Sequence, residues 1–206
     1  MGKISSLVIS VVFQPLIIPM MVFGMILFGV PESTSVPFEF KTRIFYLILM
    51  STLVIPMLTI FGLRLSGTVK SLHMHTTKDR IIPFSVTSIY FLLTTYFMHR
   101  ISELDPIIWE TMALISGVVV ILTIVTIFWK MSAHMTGVGG LVALVLVLGF
   151  RFSNFQSLYP LLLSIFLSGG VASSRLFLNA HKPLEVYVGF IFGFLSCYFG
   201  FQWIWS

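Results

Sequence analysis

The chain contains apolar runs that are each close to the length needed to cross a lipid bilayer. A transmembrane helix needs about 20 apolar residues, within a range of about 17–25. Seven such runs occur, at residues 7–29, 44–63, 81–98, 107–129, 135–150, 158–172 and 186–204. The runs are continuous rather than alternating, which excludes the strand pattern of a membrane β-barrel. The sequence therefore predicts an all-α, polytopic transmembrane bundle of six to seven membrane helices.

Composition supports lipid as the solvent of this chain. Hydrophobic residues make up 57% of the 206 residues and charged residues only 9%, whereas a soluble domain carries about 25% charged residues. The runs at 135–150 and 158–172 are short, so either flanking residues extend them or they pack among other helices without reaching both interfaces. The connections are brief and polar, and we expect one integral membrane domain over residues 1–206.

Three features exclude other classes of site. The net charge of +5 does not indicate nucleic-acid binding, because the basic residues cluster at the ends of apolar runs. The single cysteine, Cys197, excludes a disulfide framework or a thiolate metal site and fits a packing residue. His73 and His75 alternate within one loop without further ligands at metal-binding spacing, so a solvated loop is favoured there.

The number of crossings decides which polar connections share a face. If all seven runs cross, one face carries the amino terminus and three segments, 66–80, 130–134 and 173–185. The other face carries the carboxyl terminus and three segments, 31–43, 99–106 and 151–157. Most acidic residues fall on the second face, whereas the candidate chemical groups gather on the first.

Basic side chains on the first face suit phosphate binding. Arg80, Arg175 and Lys78 offer forked or point-charge donors to phosphate oxygens. Ser132 and the backbone around it can donate further hydrogen bonds to the same oxyanion.

A histidine and a carboxylate lie near the start of the last apolar run. His181 and Glu185 are four residues apart, so on a helix they share a face and the carboxylate can orient the imidazole. Pro183 fits the first turn of that helix, which places His181 at its N-terminus. A helix N-terminus attracts phosphate and disfavours imidazolium, so it helps to keep His181 neutral and nucleophilic.

These segments together resemble a known family. Ser174-Arg175 is followed by His181 and then by Glu185, and this resembles a block of the type 2 phosphatidic acid phosphatase superfamily of membrane lipid phosphatases. That block reads Ser-Arg, five residues, His, three residues, Asp, so Glu185 replaces its aspartate. The order and rough spacing of the three blocks agree with the family, and the resemblance covers about residues 78–193.

The other two blocks depart from the family pattern. The family's Pro-Ser-Gly-His block is recognisable as Met131-Ser132-Ala133-His134. Its first block, a lysine followed later by Arg-Pro, is degenerate, because Pro83 does not directly follow Arg80 and His73 stands seven positions before it.

The resemblance implies a role for each matching residue. His181 would attack phosphorus and form a phosphohistidine, Glu185 would orient it, and His134 would protonate the leaving oxygen and later activate water. The phosphoryl oxygens would be held by substrate-binding residues on all three blocks: Arg80, Arg175, Lys78, Ser132 and Ser174. The resemblance implies neither a metal nor another cofactor.

The resulting functional hypothesis is a membrane hydrolase that removes phosphate from a lipid phosphate or diphosphate. The expected partners are that lipid and the bilayer, which would hold the lipid tail; no protein partner is predicted. The alternative is a catalytically weak or inactive lipid-phosphate-binding or transport protein, because the first block is degenerate and Ala133 narrows the approach of a backbone amide to phosphate. An intramembrane metalloprotease is disfavoured because no zinc-binding helix motif occurs.

We expect an integral, multi-pass protein of the bacterial inner (cell) membrane. In the resembled family the site faces the periplasm, exterior or lumen. The positive-inside rule points the other way, because the motif face carries more Lys and Arg. Without Lys78, Arg80 and Arg175, the proposed phosphate ligands, the two faces are nearly balanced, so the resemblance alone favours the outer face.

Overall fold

The computed structural model describes residues 2–69 and 77–206, and within these ranges the chain is helical without a strand. The predicted loop histidines, His73 and His75, lie outside the described residues. Nine α-helices occur in the described ranges: α1 (Lys3–Val12), α2 (Ile18–Gly24), α3 (Phe38–Leu49), α4 (Ile55–Leu65), α5 (Thr77–His99), α6 (Pro106–Phe128), α7 (Ala133–Arg151), α8 (Leu158–Phe177) and α9 (Pro183–Ile204). The predicted all-α class is confirmed.

The described residues form seven helical segments that are long and apolar enough to cross a membrane. The first two segments each join two α-helices, α1 with α2 and α3 with α4, through short 3₁₀ or π-helical turns. Each of the other five consists of one helix from α5 to α9. The chain is therefore an integral, multi-pass membrane protein with the upper of the two predicted span counts.

Flanking residues extend the two short runs. Helix α7 has 19 residues and α8 has 20, and at about 1.5 Å per residue either helix is close to the hydrocarbon thickness of about 30 Å. Helix α8 continues five residues beyond the predicted end, through 173–177, because polar residues such as Ser174 and Arg175 lower the hydropathy without breaking the helix.

The chain divides into two compact units, Met1–Ser35 with Met131–Ser206, and Val36–Lys130. A single membrane domain over residues 1–206 stays a prediction. The second unit contains α3 to α6, and α5 packs along α6. Hydroxyl pairs join these two helices, because Ser88 contacts Thr123 and Thr95 contacts Ser116, each pair at 2.9 Å. Such bonds assist helix association where lipid removes the hydrophobic driving force.

Helix α7 is the central helix of the first unit. In its most apolar window 72% of the residues are buried, against 22–33% for the other membrane segments. Its closest neighbour is α9, and a Cβ atom at Gly193 would overlap the backbone of Thr136. A Cβ atom at Gly189 would lie 2.8 Å from the carbonyl oxygen of Ser132. Glycine therefore lets the two backbones touch, which fixes the start of α7 against the start of α9.

Polar contacts of the first unit gather at both ends of α7. Near its carboxyl end, Arg151 donates to the side chain of Gln202 at 3.1 Å, and Asn154 donates to Glu32 at 2.8 Å. Near its amino end lie the second and third sequence blocks.

Candidate active site

The His181–Glu185 pair lies at the amino end of α9. The Nδ1 atom of His181 is 2.8 Å from Oε2 of Glu185, and the two side chains are only 1% and 9% exposed. The same oxygen accepts the backbone N–H of Lys182 at 3.2 Å. Because a carboxylate only accepts hydrogen bonds, this contact places a hydrogen on Nδ1 of His181.

The start of α9 sets the geometry of this pair. Helix α9 begins at Pro183 and Lys182 is its N-cap, so His181 lies at the helix N-terminus, as predicted. The predicted contact at a spacing of four residues is present, and it crosses the N-cap rather than lying within the helix. The carboxylate therefore serves the first helical turn and the imidazole together.

The turn between α8 and α9 places Arg175 near the start of α9. Asn179 has a φ of 50°, and its N–H donates to the carbonyl of Leu176 at 3.0 Å. The N–H of Ala180 donates to the carbonyl of Arg175 at 3.1 Å. This is the Schellman pattern, with asparagine at the left-handed position that usually holds glycine. It ends α8 and reverses the chain just before His181.

The second block meets the third through the backbone of Ser132. This residue is the N-cap of α7, and its N–H donates to the carbonyl of Glu185 at 3.2 Å. Its hydroxyl is buried and has no hydrogen-bond partner among the described residues. Ser132 is therefore hydrogen-bonded through its backbone to Glu185, the residue that contacts His181.

His134 and Arg175 converge on one residue of α1. The Nε2 atom of His134 is 3.0 Å from the carbonyl oxygen of Ser10, and Nη1 of Arg175 donates to the hydroxyl of Ser10 at 2.5 Å. Ser10 was not among the predicted site residues. The available signal was a pair of serines, Ser6 and Ser10, spaced by four residues on an otherwise apolar helix, because polar residues in a membrane span usually face the protein interior.

Unpartnered buried polar atoms concentrate in the two matched blocks. Within the described part of the chain, three buried side-chain atoms lack a hydrogen-bond partner: Ser132 Oγ, Arg175 Nε and Thr111 Oγ1. A buried donor without a partner costs about 1–3 kcal/mol, so native proteins rarely keep one without a reason. Ser132 and Arg175 are both predicted phosphate ligands, and an oxyanion would satisfy both.

The remaining predicted phosphate ligands lie in different surroundings. The hydroxyl of Ser174 donates to the carbonyl of Ser6 at 2.5 Å and ties α8 to α1. Arg80 is 4% exposed in the first turns of α5, within the second unit. Lys78 is described by its backbone alone. In the first unit, hydrogen bonds thus link His181 and Ser132 to Glu185, and Ser10 links His134 to Arg175. The contribution of Arg80 and Lys78 to the same site stays a prediction.

These features describe an integral membrane protein in which a buried histidine contacts a carboxylate. Two buried side-chain donors of the same unit, on Ser132 and Arg175, have no hydrogen-bond partner among the described residues. The family model described as PAP2 superfamily matches residues 127–206, which contain the second and third blocks. The match agrees with the resemblance to the type 2 phosphatidic acid phosphatase superfamily and confirms it over these residues. No curated protein and no solved structure matches the chain. The match supports a phosphatase-like fold.

Proposed function

We propose that this protein is a membrane lipid phosphatase that hydrolyses a lipid phosphate or diphosphate through a phosphohistidine. The observation that carries the proposal is the buried contact between His181 Nδ1 and Glu185 Oε2. A neutral imidazole held in this way is an activated nucleophile, because the carboxylate stabilises the positive charge that develops as the ring attacks.

The first chemical step transfers the phosphoryl group to the enzyme. The Nε2 lone pair of His181 forms the P–N bond while the P–O bond to the lipid breaks. His134, as imidazolium, gives a proton to the departing lipid oxygen and becomes neutral. The Nδ1–H bond to Glu185 persists throughout, so the new charge on His181 remains compensated.

The second step releases phosphate. Neutral His134 takes a proton from water, the water oxygen attacks phosphorus, and the P–N bond breaks. Inorganic phosphate leaves, His181 is neutral again, and His134 regains its charge. Both steps pass through the same phosphoryl group, so one set of donors can serve both transition states.

The phosphoryl oxygens are bound by the unpartnered donors Arg175 Nε and Ser132 Oγ. A charged donor stabilises developing charge best in a buried site, where the effective dielectric constant is low. Arg80 and Lys78 of the first sequence block are proposed as further phosphate ligands on the strength of the family resemblance. Ser174 would join them once its hydroxyl exchanges the Ser6 carbonyl for a phosphate oxygen.

A lipid substrate fits the outer surface of α9. Leu184 and Tyr187 lie in its first two turns, directly after the histidine, and are 65% and 62% exposed. Their spacing of three residues places both on one side of the helix. A lipid tail can lie against this apolar surface while its phosphate enters the buried site.

We place the protein in the bacterial inner (cell) membrane with the site on the outer side.

The test is phosphate release by purified protein in lipid nanodiscs, with a metal chelator present. The substrates are phosphatidate, phosphatidylglycerophosphate, a polyprenyl diphosphate and a lipid A phosphate. We expect release from at least one lipid and its loss in His181→Ala. The matched control is His99→Ala, because His99 contacts Trp109 at the far end of α5 in the other unit. Release that persists in His181→Ala would overturn the mechanism.

A second candidate is a lipid-phosphate binder or transporter without turnover. Ala133, which stands where the family has glycine, is buried in the first turn of α7. Its methyl group reduces the space for a phosphate oxygen at the adjacent backbone. Binding of these lipids by the wild-type protein without release of phosphate would favour this candidate over the phosphatase.

A further inference from the structure

Helix α1 turns a polar face toward the first unit and an apolar face outward. Ser6 and Ser10 are its buried residues, whereas Ile4, Val8 and Val11 are more than half exposed. The helix packs against α8, and both serines contact motif residues. In a membrane span, such inward serines supply hydrogen bonds to neighbouring helices. Here the neighbours are the proposed phosphate-binding and proton-transfer residues.

We propose that Ser10 is a positioning residue of this site, holding Arg175 with its hydroxyl and His134 with its carbonyl. The inference rests on the proposed function, because the roles of Arg175 and His134 are those given above. Ser10 lies outside residues 127–206, the part of the chain that matches the superfamily. It acts through its two neighbours rather than on the substrate.

The contact with Arg175 fixes the plane of the guanidinium group. A guanidinium is planar and carries its five N–H donors in a rigid fork. When the Ser10 hydroxyl accepts from Nη1, the direction of Nε–H is fixed as well. Nε of Arg175 is buried and has no hydrogen-bond partner within the described part of the chain. Ser10 thus aims the donor that the phosphate is proposed to use, and lowers the conformational entropy lost on binding.

The contact with His134 fixes the hydrogen and the orientation of the ring. A backbone carbonyl accepts and cannot donate, so the Ser10 oxygen holds a hydrogen on Nε2 of His134. Such a bond selects the tautomer of the neutral ring and remains favourable when the ring is charged. Because one residue contacts both side chains, a displacement of α1 changes phosphate binding and proton transfer together.

The two contacts can be separated by substitution. Ser10→Ala removes the hydroxyl and keeps the carbonyl, so we expect KM to rise about tenfold while kcat and the pH profile of kcat stay close to wild type. Ser10→Leu also forces α1 away from Arg175, so kcat should fall and the limb of the pH profile that reports His134 should shift. Ser10→Thr retains the hydroxyl and should restore KM.

The matched control is Ser5→Ala on the same helix, because Ser5 is exposed and its hydroxyl donates to the nearby carbonyl of Gly2. Ser10→Cys replaces Ser10→Ala if the alanine variant does not fold, since the thiol keeps the volume and accepts weakly. Phosphate release from the best lipid of the panel gives KM and kcat. Binding of inorganic phosphate, followed by ³¹P NMR line broadening, gives an affinity that does not require turnover.

The inference and the proposed function fail in different ways. If release depends on His181 but Ser10→Ala has the KM of Ser5→Ala, the role of Ser10 is overturned and the phosphatase stands. If release is absent or independent of His181, the phosphatase is overturned and the binding assay decides the role of Ser10. Weaker phosphate binding by Ser10→Ala than by Ser5→Ala then supports it, and equal binding overturns it.

Discussion

His181 contacts Glu185 across the N-cap of α9, with Nδ1 2.8 Å from Oε2. The same carboxylate oxygen accepts the N–H of Lys182, so the group that orients the imidazole also completes the first turn of the helix. Substitutions of Glu185 therefore separate charge from geometry. The amide of glutamine can still accept a hydrogen bond, whereas it cannot balance a charge on the ring.

Glu185→Gln should reduce phosphate release at least about 100-fold, because the imidazolium formed during attack loses its counter-charge. Glu185→Asp restores the residue type of the family block but shortens the side chain by one methylene, so we expect intermediate activity. Initial rates at saturating lipid give both values. An activity of Glu185→Gln equal to that of Glu185→Asp would show that charge at this position is unimportant.

Ser132→Ala should impair phosphate binding without lowering stability. The hydroxyl is buried without a hydrogen-bond partner, so its removal deletes an unsatisfied polar atom and costs little folding free energy. We expect a rise of about tenfold in KM and an unchanged or higher melting temperature in detergent.

The matched control for Ser132→Ala is Thr111→Ala. Thr111 Oγ1 is the third unpartnered buried atom among the described side chains, and it lies on α6 in the other unit. This variant should also keep its melting temperature, but its KM should equal that of wild type. A melting temperature that falls by many degrees in Ser132→Ala would indicate a structural hydroxyl instead.

Asn179 should respond to substitution through its backbone conformation. Its φ of 50° is accessible to glycine without strain and costs most other residues about 1–2 kcal/mol. Asn179→Val should therefore lower the free energy of unfolding by about that amount, whereas Asn179→Gly should stay near wild type. Denaturation followed by circular dichroism measures both. Equal stability of the two variants would argue against the left-handed turn before His181.

Gly193→Ala should prevent close packing of α7 on α9, because its methyl group would overlap the backbone of Thr136. The first unit would have to separate these two helices, so we expect loss of monodisperse protein in detergent extracts. The matched control is Gly169→Ala on α8, where an added Cβ has nothing within 4 Å. Size-exclusion chromatography compares the two. Normal elution of Gly193→Ala would show that the helices can move apart without loss of folding.

Hydropathy was sufficient to predict the seven membrane segments, since each span must hide its backbone polar groups from lipid within one helix. The bounds predicted from hydropathy were least accurate at the ends of α7 and α8. There, Arg151 and residues 173–177 continue the helix with polar side chains. The His181–Glu185 contact could also be predicted, because the two residues are local in sequence. Pro183 also indicated the start of α9, and thereby the position of His181 at the helix N-terminus.

The sequence by itself determined that lipid surrounds most of the chain and that the fold is all-α. It also determined which histidine, arginine and serine residues form two of the motif blocks. These properties follow from local composition and short spacings, which act within one helix or one turn. Only the tertiary structure decided that Ser10 joins the site, because 124 residues separate it from His134 and 165 separate it from Arg175. Contacts at such separations depend on how α1 packs against α8, and no local spacing encodes that packing.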